Sequence, residues 1–168
     1  MKFLADVMLG KLARWLRMLG HDVMYSVVFN DFEILELAKK EERVLLTKDL
    51  ELYKRAIGRD IGVYYVEGKM ESERLAEIAK RYNLPLVVDM DKSHCPICNS
   101  KLEAVPKDQL KDELETNTYT YYYKFWRCPN CGQIYWQGAH WKQITQTLTQ
   151  AQQKKAQPIG FFICTRLS

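Results

Sequence analysis

The sequence predicts an α/β protein in which a parallel sheet flanked by helices is followed by a small four-cysteine module. Three observations predict it. Strand-like and helix-like segments alternate four times over residues 2–81 with short joins, the mark of βαβ units. Arg43-Val44-Leu45-Leu46-Thr47 is a near-continuous apolar run, as in a strand covered on both faces. Cys95-Pro96-Ile97-Cys98 and Cys128-Pro129-Asn130-Cys131-Gly132 are two CPxC turns that pair four thiols.

The elements follow in order. Residues 2–6 read as a short strand ending in an acid, and residues 9–19 as a helix stopped by Gly20. Leu12, Trp15, Leu16 and Leu19 form the apolar stripe of that helix, with Lys11, Arg14 and Arg17 as a basic stripe beside it. Residues 22–28 are strand-like. Asp31 stands at the next helix start as a candidate cap, and Ile34, Leu35, Leu37 and Ala38 carry that helix. The run 43–47 is the third strand, and Lys48-Asp49 opens a helix to about Ala56. Residues 61–66 and 71–81 make a fourth strand and helix, and 86–89 suggest one more strand. Thr118 to Trp126 is rich in β-formers and aromatics, and 139–156 has helical spacing through Trp141, Ile144, Leu148 and Ala151.

The 168 residues are 47% hydrophobic and 27% charged with both signs mixed, the composition of a soluble globular protein. Asp6 and Lys11 interrupt the first apolar residues, and no apolar run reaches bilayer length, so a cytoplasmic, non-membrane protein is expected. In that compartment paired thiols are metal ligands rather than disulfides. The net charge of +4 permits a polyanionic partner.

Cys95, Cys98, Cys128 and Cys131 therefore read as a closed tetrahedral site for a structural Zn²⁺. Asn99 and Gly132 follow the two pairs, where the chain must turn back with φ > 0. His94 and His140 are not needed as ligands, and Cys164 reads as a spectator thiol.

The chemistry is expected elsewhere. In an open parallel sheet, sites gather outside the carboxyl ends of the strands. Asp6, Asp31 and Asp49 fall there after the first, second and third strands. Asp31 and Asp49 each also suit a helix N-cap, whereas Asp6 ends a strand. If the strands are neighbours, the three carboxylates converge and repel by about 4 kcal/mol per pair at an effective dielectric near 20. Such a cluster calls for a hard cation, Mg²⁺ or Mn²⁺, suited to activating water against a phosphodiester. Lys11, Arg14 and Arg17 would form a phosphate track toward the acids, and Lys48 would neutralise phosphate beside Asp49. The aromatics from Tyr119 to Trp126 offer faces for unpaired bases, although strand spacing would turn most of them inward as structure.

Lys2-Phe3-Leu4-Ala5-Asp6 with Met8-Leu9-Gly10-Lys11-Leu12-Ala13-Arg14-Trp15-Leu16-Arg17-Met18-Leu19-Gly20, then Arg43-Val44-Leu45-Leu46-Thr47-Lys48-Asp49, then Cys128-Pro129-Asn130-Cys131-Gly132-Gln133-Ile134-Tyr135-Trp136, Gly138 and His140-Trp141 resemble the Mut-seven C-terminal RNase family. The resemblance runs over residues 1–145. It implies a PIN-like nuclease domain over 1–90, a zinc ribbon over 91–145 and a helix end and tail over 146–168. It further implies a metal-dependent ribonuclease acting on RNA, taken as single-stranded, with Asp6, Asp31 and Asp49 holding Mg²⁺ or Mn²⁺. Larger PIN nucleases carry another acid on a helix that this chain lacks, so a three-acid site is implied. The rival readings are a non-catalytic RNA-binding zinc-ribbon protein, and a toxin-like or ribosome-associated module that recruits a protein partner through the apolar tail Ile159 to Cys164. Removal of zinc is expected to unfold residues 95–136 and leave the sheet intact.

Overall fold

In the computed structural model, which describes residues 1–157, the predicted alternation becomes one parallel sheet. Strands β1 (Lys2–Ala5), β2 (Asp22–Tyr25), β3 (Val44–Thr47) and β4 (Val63–Tyr65) lie in the order β2-β1-β3-β4. β1 is central, with Phe3 level with Val23 on one side and with Val44 on the other. The period of two along β1 sends alternate side chains to opposite faces. Phe3 and Ala5 join Val23 and Leu46 beneath α1 (Gly10–Met18), which a 3₁₀ turn, Val7–Leu9, introduces. Leu4 and Leu45 face the other way, against α2 (Asp31–Lys40) and α3 (Leu50–Ile57). Both faces are covered, which is why β3 reads as unbroken apolar sequence.

Leu12 and Leu16 of α1 are fully buried, and such side chains each stabilise the fold by about 1.5–3 kcal/mol relative to exposure. α4 (Glu71–Arg81) and α6 (Trp141–Ala156) complete the same layer, with Leu148 and Ala151 of α6 in the core beside Leu75 and Ile78 of α4. Between them in chain order comes a three-stranded antiparallel ribbon of β5 (Glu103–Val105), β6 (Phe125–Arg127) and β7 (Ile134–Tyr135). Its own small core holds Met90, Leu102 and Trp126 with Cys95 and Cys128.

Three local expectations are corrected. Residues 86–89 add no strand to the sheet: Gln152 and Lys155 of α6 donate to the carbonyls of Leu86 and Leu84, 2.9 Å each, and hold the segment against the helix instead. Thr116–Tyr121 is a helix, α5, and only Phe125–Arg127 of the aromatic run is a strand. There Thr120 Oγ1 donates back to the Thr116 carbonyl at 2.7 Å, and Lys107 Nζ lies 4.7 Å from the Tyr119 ring centre and 4.1 Å from that of Tyr123. These local and cation–π contacts override the β-propensity of alternating Thr and Tyr. The cap of α2 is Asn30, not Asp31: Asn30 Oδ1 accepts from Glu33 N, and Glu33 Oε2 accepts from Asn30 N. No helix among the described residues is long and apolar enough to cross a membrane. The expected partner-recruiting tail, with Cys164, lies outside the described residues.

Candidate active site and metal centre

The chain leaves β1 toward β2 on one side and returns to β3 on the other, so the crevice between the carboxyl ends of β1 and β3 is the topological switch point of the sheet. Asp6 and Asp49 flank it. Asp6 is 5% exposed, an acid at the end of a buried strand. Its Oδ1 accepts from Val7 N and its Oδ2 from Thr47 Oγ1 at 2.9 Å. Thr47 Oγ1 in turn accepts from Asp49 N at 2.9 Å, so one hydroxyl links the carboxylate of Asp6 to the backbone amide of Asp49. Asp49 is the N-cap of α3: its Oδ1 accepts from Glu51 N at 2.7 Å and from Leu52 N at 3.1 Å. Each carboxylate keeps lone pairs that these bonds do not use.

Asp31 shares no hydrogen bond with either of these acids. It stands in the exposed first turn of α2, and its Oδ2 accepts from Arg55 Nη1 of α3 at 2.8 Å. Among the described residues the three aspartates do not gather into a group whose ligand atoms all lie within 4.8 Å, a condition that four cysteines do meet. The sequence reading does not single out Thr47. Its signal is nonetheless present, as the polar residue that closes an apolar strand and is fully buried.

The basic stripe splits. Lys11 and Arg14 are exposed, and neither has an ion pair among the described residues. Arg17, expected on the same track, is buried. A helix turns by about 100° per residue, so positions three apart drift by about 60° each time, and the third falls about 120° from the first. Arg17 therefore points into the structure, where Nε and Nη2 donate to the Val23 carbonyl and Nη1 to those of Pro96 and Ile97. Burial lowers its pKa, yet it remains the donor that fastens α1 to β2 and to the first CPxC turn. Lys48 is half-buried and donates to the Gly68 carbonyl at 2.9 Å. Arg43 is buried in a fork with Asp22. Burial works to raise the Asp22 carboxyl, but the bonds from Arg43 and Asn99 outweigh it and hold the group below its usual range.

The four thiols meet as the spacing predicts. Cys95 Sγ lies 3.6 Å from Cys131 Sγ, and Cys98 Sγ 3.3 Å from Cys128 Sγ. A tetrahedral ion with bonds of about 2.3 Å to sulfur needs edges of about 3.8 Å, so the donors fit a metal ion such as zinc with a small outward adjustment. Asn99 and Gly132 take φ of 70° and 76°, the left-handed turns that let each pair face the centre. Tyr135 Oη lies 3.1 Å from Cys95 Sγ, an outer contact that orients a ligand. Burial pushes the Cys128 thiol up to about 12. Burial acts in the same direction on Cys98, but hydrogen bonds from Asn130 and Ser100 outweigh it and bring that thiol down to about 5. Loading a metal therefore releases protons.

The first CPxC turn is tied to the sheet by more than Arg17. Asn99 Oδ1 accepts from Val23 N at 2.9 Å, and its Nδ2 donates to Asp22 Oδ1 at 2.6 Å. Edge strand β2 is thus closed by the cysteine module, and Tyr25, its last residue, stands level with Ala5 beside Asp6.

No curated protein and no solved structure matches this chain. The model of the Mut7-C RNAse domain matches residues 1–148, which include Asp6, Asp31, Asp49 and all four clustered cysteines, and the chain belongs to the Mut7-C RNAse domain family.

Proposed function

We propose that the protein is a divalent-metal-dependent ribonuclease that hydrolyses RNA phosphodiesters at the crevice between β1 and β3. The observation that carries this reading is the buried carboxylate of Asp6 at the switch point, fixed by Thr47 and facing the start of α3 at Asp49. Magnesium is bound by one or two carboxylates completed by water and substrate phosphate, so a pair of acids suffices to begin a site. Asp6 and Asp49 would hold Mg²⁺ or Mn²⁺, and Asp31 would join on release from Arg55. When bound, the ion supplies water activation and Lewis-acid stabilisation of phosphate charge. Lys11 and Arg14 would position the RNA backbone, and Lys48 would stand beside Asp49 for a phosphate near the ion. Zinc in the cysteine module would be structural, in a cytosolic setting that keeps its thiols reduced.

The test is cleavage of end-labelled single-stranded RNA by zinc-loaded wild type and Asp6→Asn, with Mg²⁺, with Mn²⁺, or with neither. Omitting the ion is a better control than a chelator, which would also strip the thiolate site. Cleavage by wild type that requires the ion and falls by two or more orders of magnitude in Asp6→Asn is expected. Equal cleavage by both proteins would refute the assignment. The engagement of Asp31 by Arg55 favours one rival, a non-catalytic RNA-binding protein. That rival predicts salt-sensitive RNA binding without cleavage.

A further inference from the structure

A second site lies at the far end of α1. A cavity of about 480 Å³ opens where Met18 of α1 meets the cysteine module and the start of α6, within the range of small-ligand sites. Aromatic faces dominate it. Tyr122, Trp136 and Trp141 line it half-buried, with His94 and exposed His140 among them. Tyr122 and Trp136 lie with ring centres 6.4 Å apart, tilted by 46°, so they form two inclined walls rather than a closed stack. Gly138 permits this: a Cβ there would come within 2.6 Å of Trp136 Nε1, so any side chain would displace the indole. His94 donates from Nδ1 to the Asn99 carbonyl at 2.7 Å, which in the neutral ring leaves Nε2 as an acceptor. The cavity therefore joins planar apolar walls to a few hydrogen-bonding groups, the requirements of a heteroaromatic ring.

Its position relates it to the candidate active site. Lys11, Arg14 and Met18 lie within about 60° of one another around α1, spread over about 10 Å of its axis. The exposed cations Lys11 and Arg14 thus run along one face of the helix from the end next to Asp6 to the residue that lines the cavity. Phosphates laid along that face would bring a base to the aromatic walls.

We infer that this cavity binds one unstacked base of a single-stranded RNA whose backbone crosses α1 from the β1–β3 crevice. The inference rests on RNA being the substrate, as proposed above. Stacking explains the aromatic walls, and the exposed cations explain the approach. The cysteine module then has a recognition role as well as a structural one, since Trp136 follows directly from β7.

The experiment measures equilibrium binding of two short labelled RNAs to zinc-loaded Asp6→Asn protein, one intact and one of equal length with abasic positions. The intact RNA should bind about tenfold more tightly. That ratio should fall toward one in Trp136→Ala and in Tyr122→Ala, while Arg14→Ala weakens both RNAs together and keeps the ratio. Because the ratio is taken within each protein, and thermal midpoints show which variants are folded, a loss of stability does not imitate the result. Equal binding of the two RNAs by the starting protein overturns the inference, as does a ratio unchanged in both aromatic variants. Cleavage of RNA by the wild type together with equal binding of the intact and abasic RNAs would end the cavity proposal and leave the ribonuclease standing. Tighter binding of the intact RNA that depends on the aromatic walls, without cleavage by the wild type, would do the reverse.

Discussion

Thr47 Oγ1 donates to Asp6 Oδ2 at 2.9 Å while accepting from Asp49 N at the same distance. One buried hydroxyl therefore holds the carboxylate of one acid directly and the backbone amide of the other, across two strands. A valine has the same shape and can do neither, so it leaves both the acid and the amide short of a partner, at a cost of about 1–3 kcal/mol each where they are buried. We expect Thr47→Val to lower the cleavage rate at saturating RNA about tenfold or more with little change in RNA affinity, and Thr47→Ser to restore it. Single-turnover cleavage beside direct RNA binding reads this split. Equal loss in the serine and valine variants would show that the hydroxyl is not what matters.

Asp31 and Arg55 form an ion pair, 2.8 Å long, in which both side chains are about half exposed. Such pairs are worth about 1 kcal/mol or less. Breaking it is therefore cheap enough for a metal ion and substrate to accomplish. If Asp31 serves the ion, Arg55→Ala should lower the Mg²⁺ concentration for half-maximal cleavage by a few-fold, and Asp31→Asn should raise it. A magnesium titration of both variants tests this. Two curves that overlay the wild type would confine Asp31 to the surface ion pair.

The cysteine module and the sheet share hydrogen bonds at Arg17 and Asn99, which revises the expectation that metal loss spares the sheet. When the first CPxC turn relaxes, Val23 N loses its acceptor and Arg17 loses two carbonyls. We expect metal removal to raise amide exchange at Val23 along with residues 95–136. Arg17→Ala should destabilise the fold by about 3 kcal/mol, since bonds from a charged donor are the stronger kind. Exchange at Val23 that ignores the metal would mean the two parts are mechanically independent.

Much of this is legible in the sequence, for reasons that differ by residue. The alternation of elements, the apolar β3 and the Cys pairs with Asn99 and Gly132 each rest on short-range rules that tertiary structure has no cause to override. Asp6 is legible because an ionised acid at the end of a buried strand is costly to desolvate, which sets it apart from acids on helix surfaces. Arg17 is misplaced by the sequence pattern because a spacing of three drifts around a helix, and burial depends on what the helix meets. Asp31 suits a cap in the sequence, yet Asn30, one residue earlier, takes that role with Glu33. α5 is hidden by strand-forming residues that Lys107 and local backbone bonds hold in a helix. The aromatic cavity is only partly legible: Tyr122 belongs to the aromatic run that the sequence offers as faces for bases, but the pattern does not show that Trp136, Trp141 and the distant Met18 close around it.

His21 makes stability depend on pH. It is 8% exposed, packs edge-on against Phe3 with ring centres 5.8 Å apart, and its Nε2 has no partner among the described residues. Burial first, with neighbouring positive charge including His94, pushes its pKa down from the ordinary 6.5 to about 4. The folded protein thus refuses a proton that the unfolded chain accepts. The stability this neutral ring permits is complete above pH 6.5 and is lost as pH falls toward about 4. The slope approaches 1.4 kcal/mol per pH unit, and the total is about 3 kcal/mol. Carboxylates such as Asp22 add their own acid sensitivity, so the informative quantity is the difference between wild type and His21→Leu. Urea midpoints followed through this window should shift against the wild type as the pH is lowered, because the variant has no ring to protonate. Parallel curves would mean that His21 takes up its proton equally in both states, and that the buried nitrogen has found water or another partner.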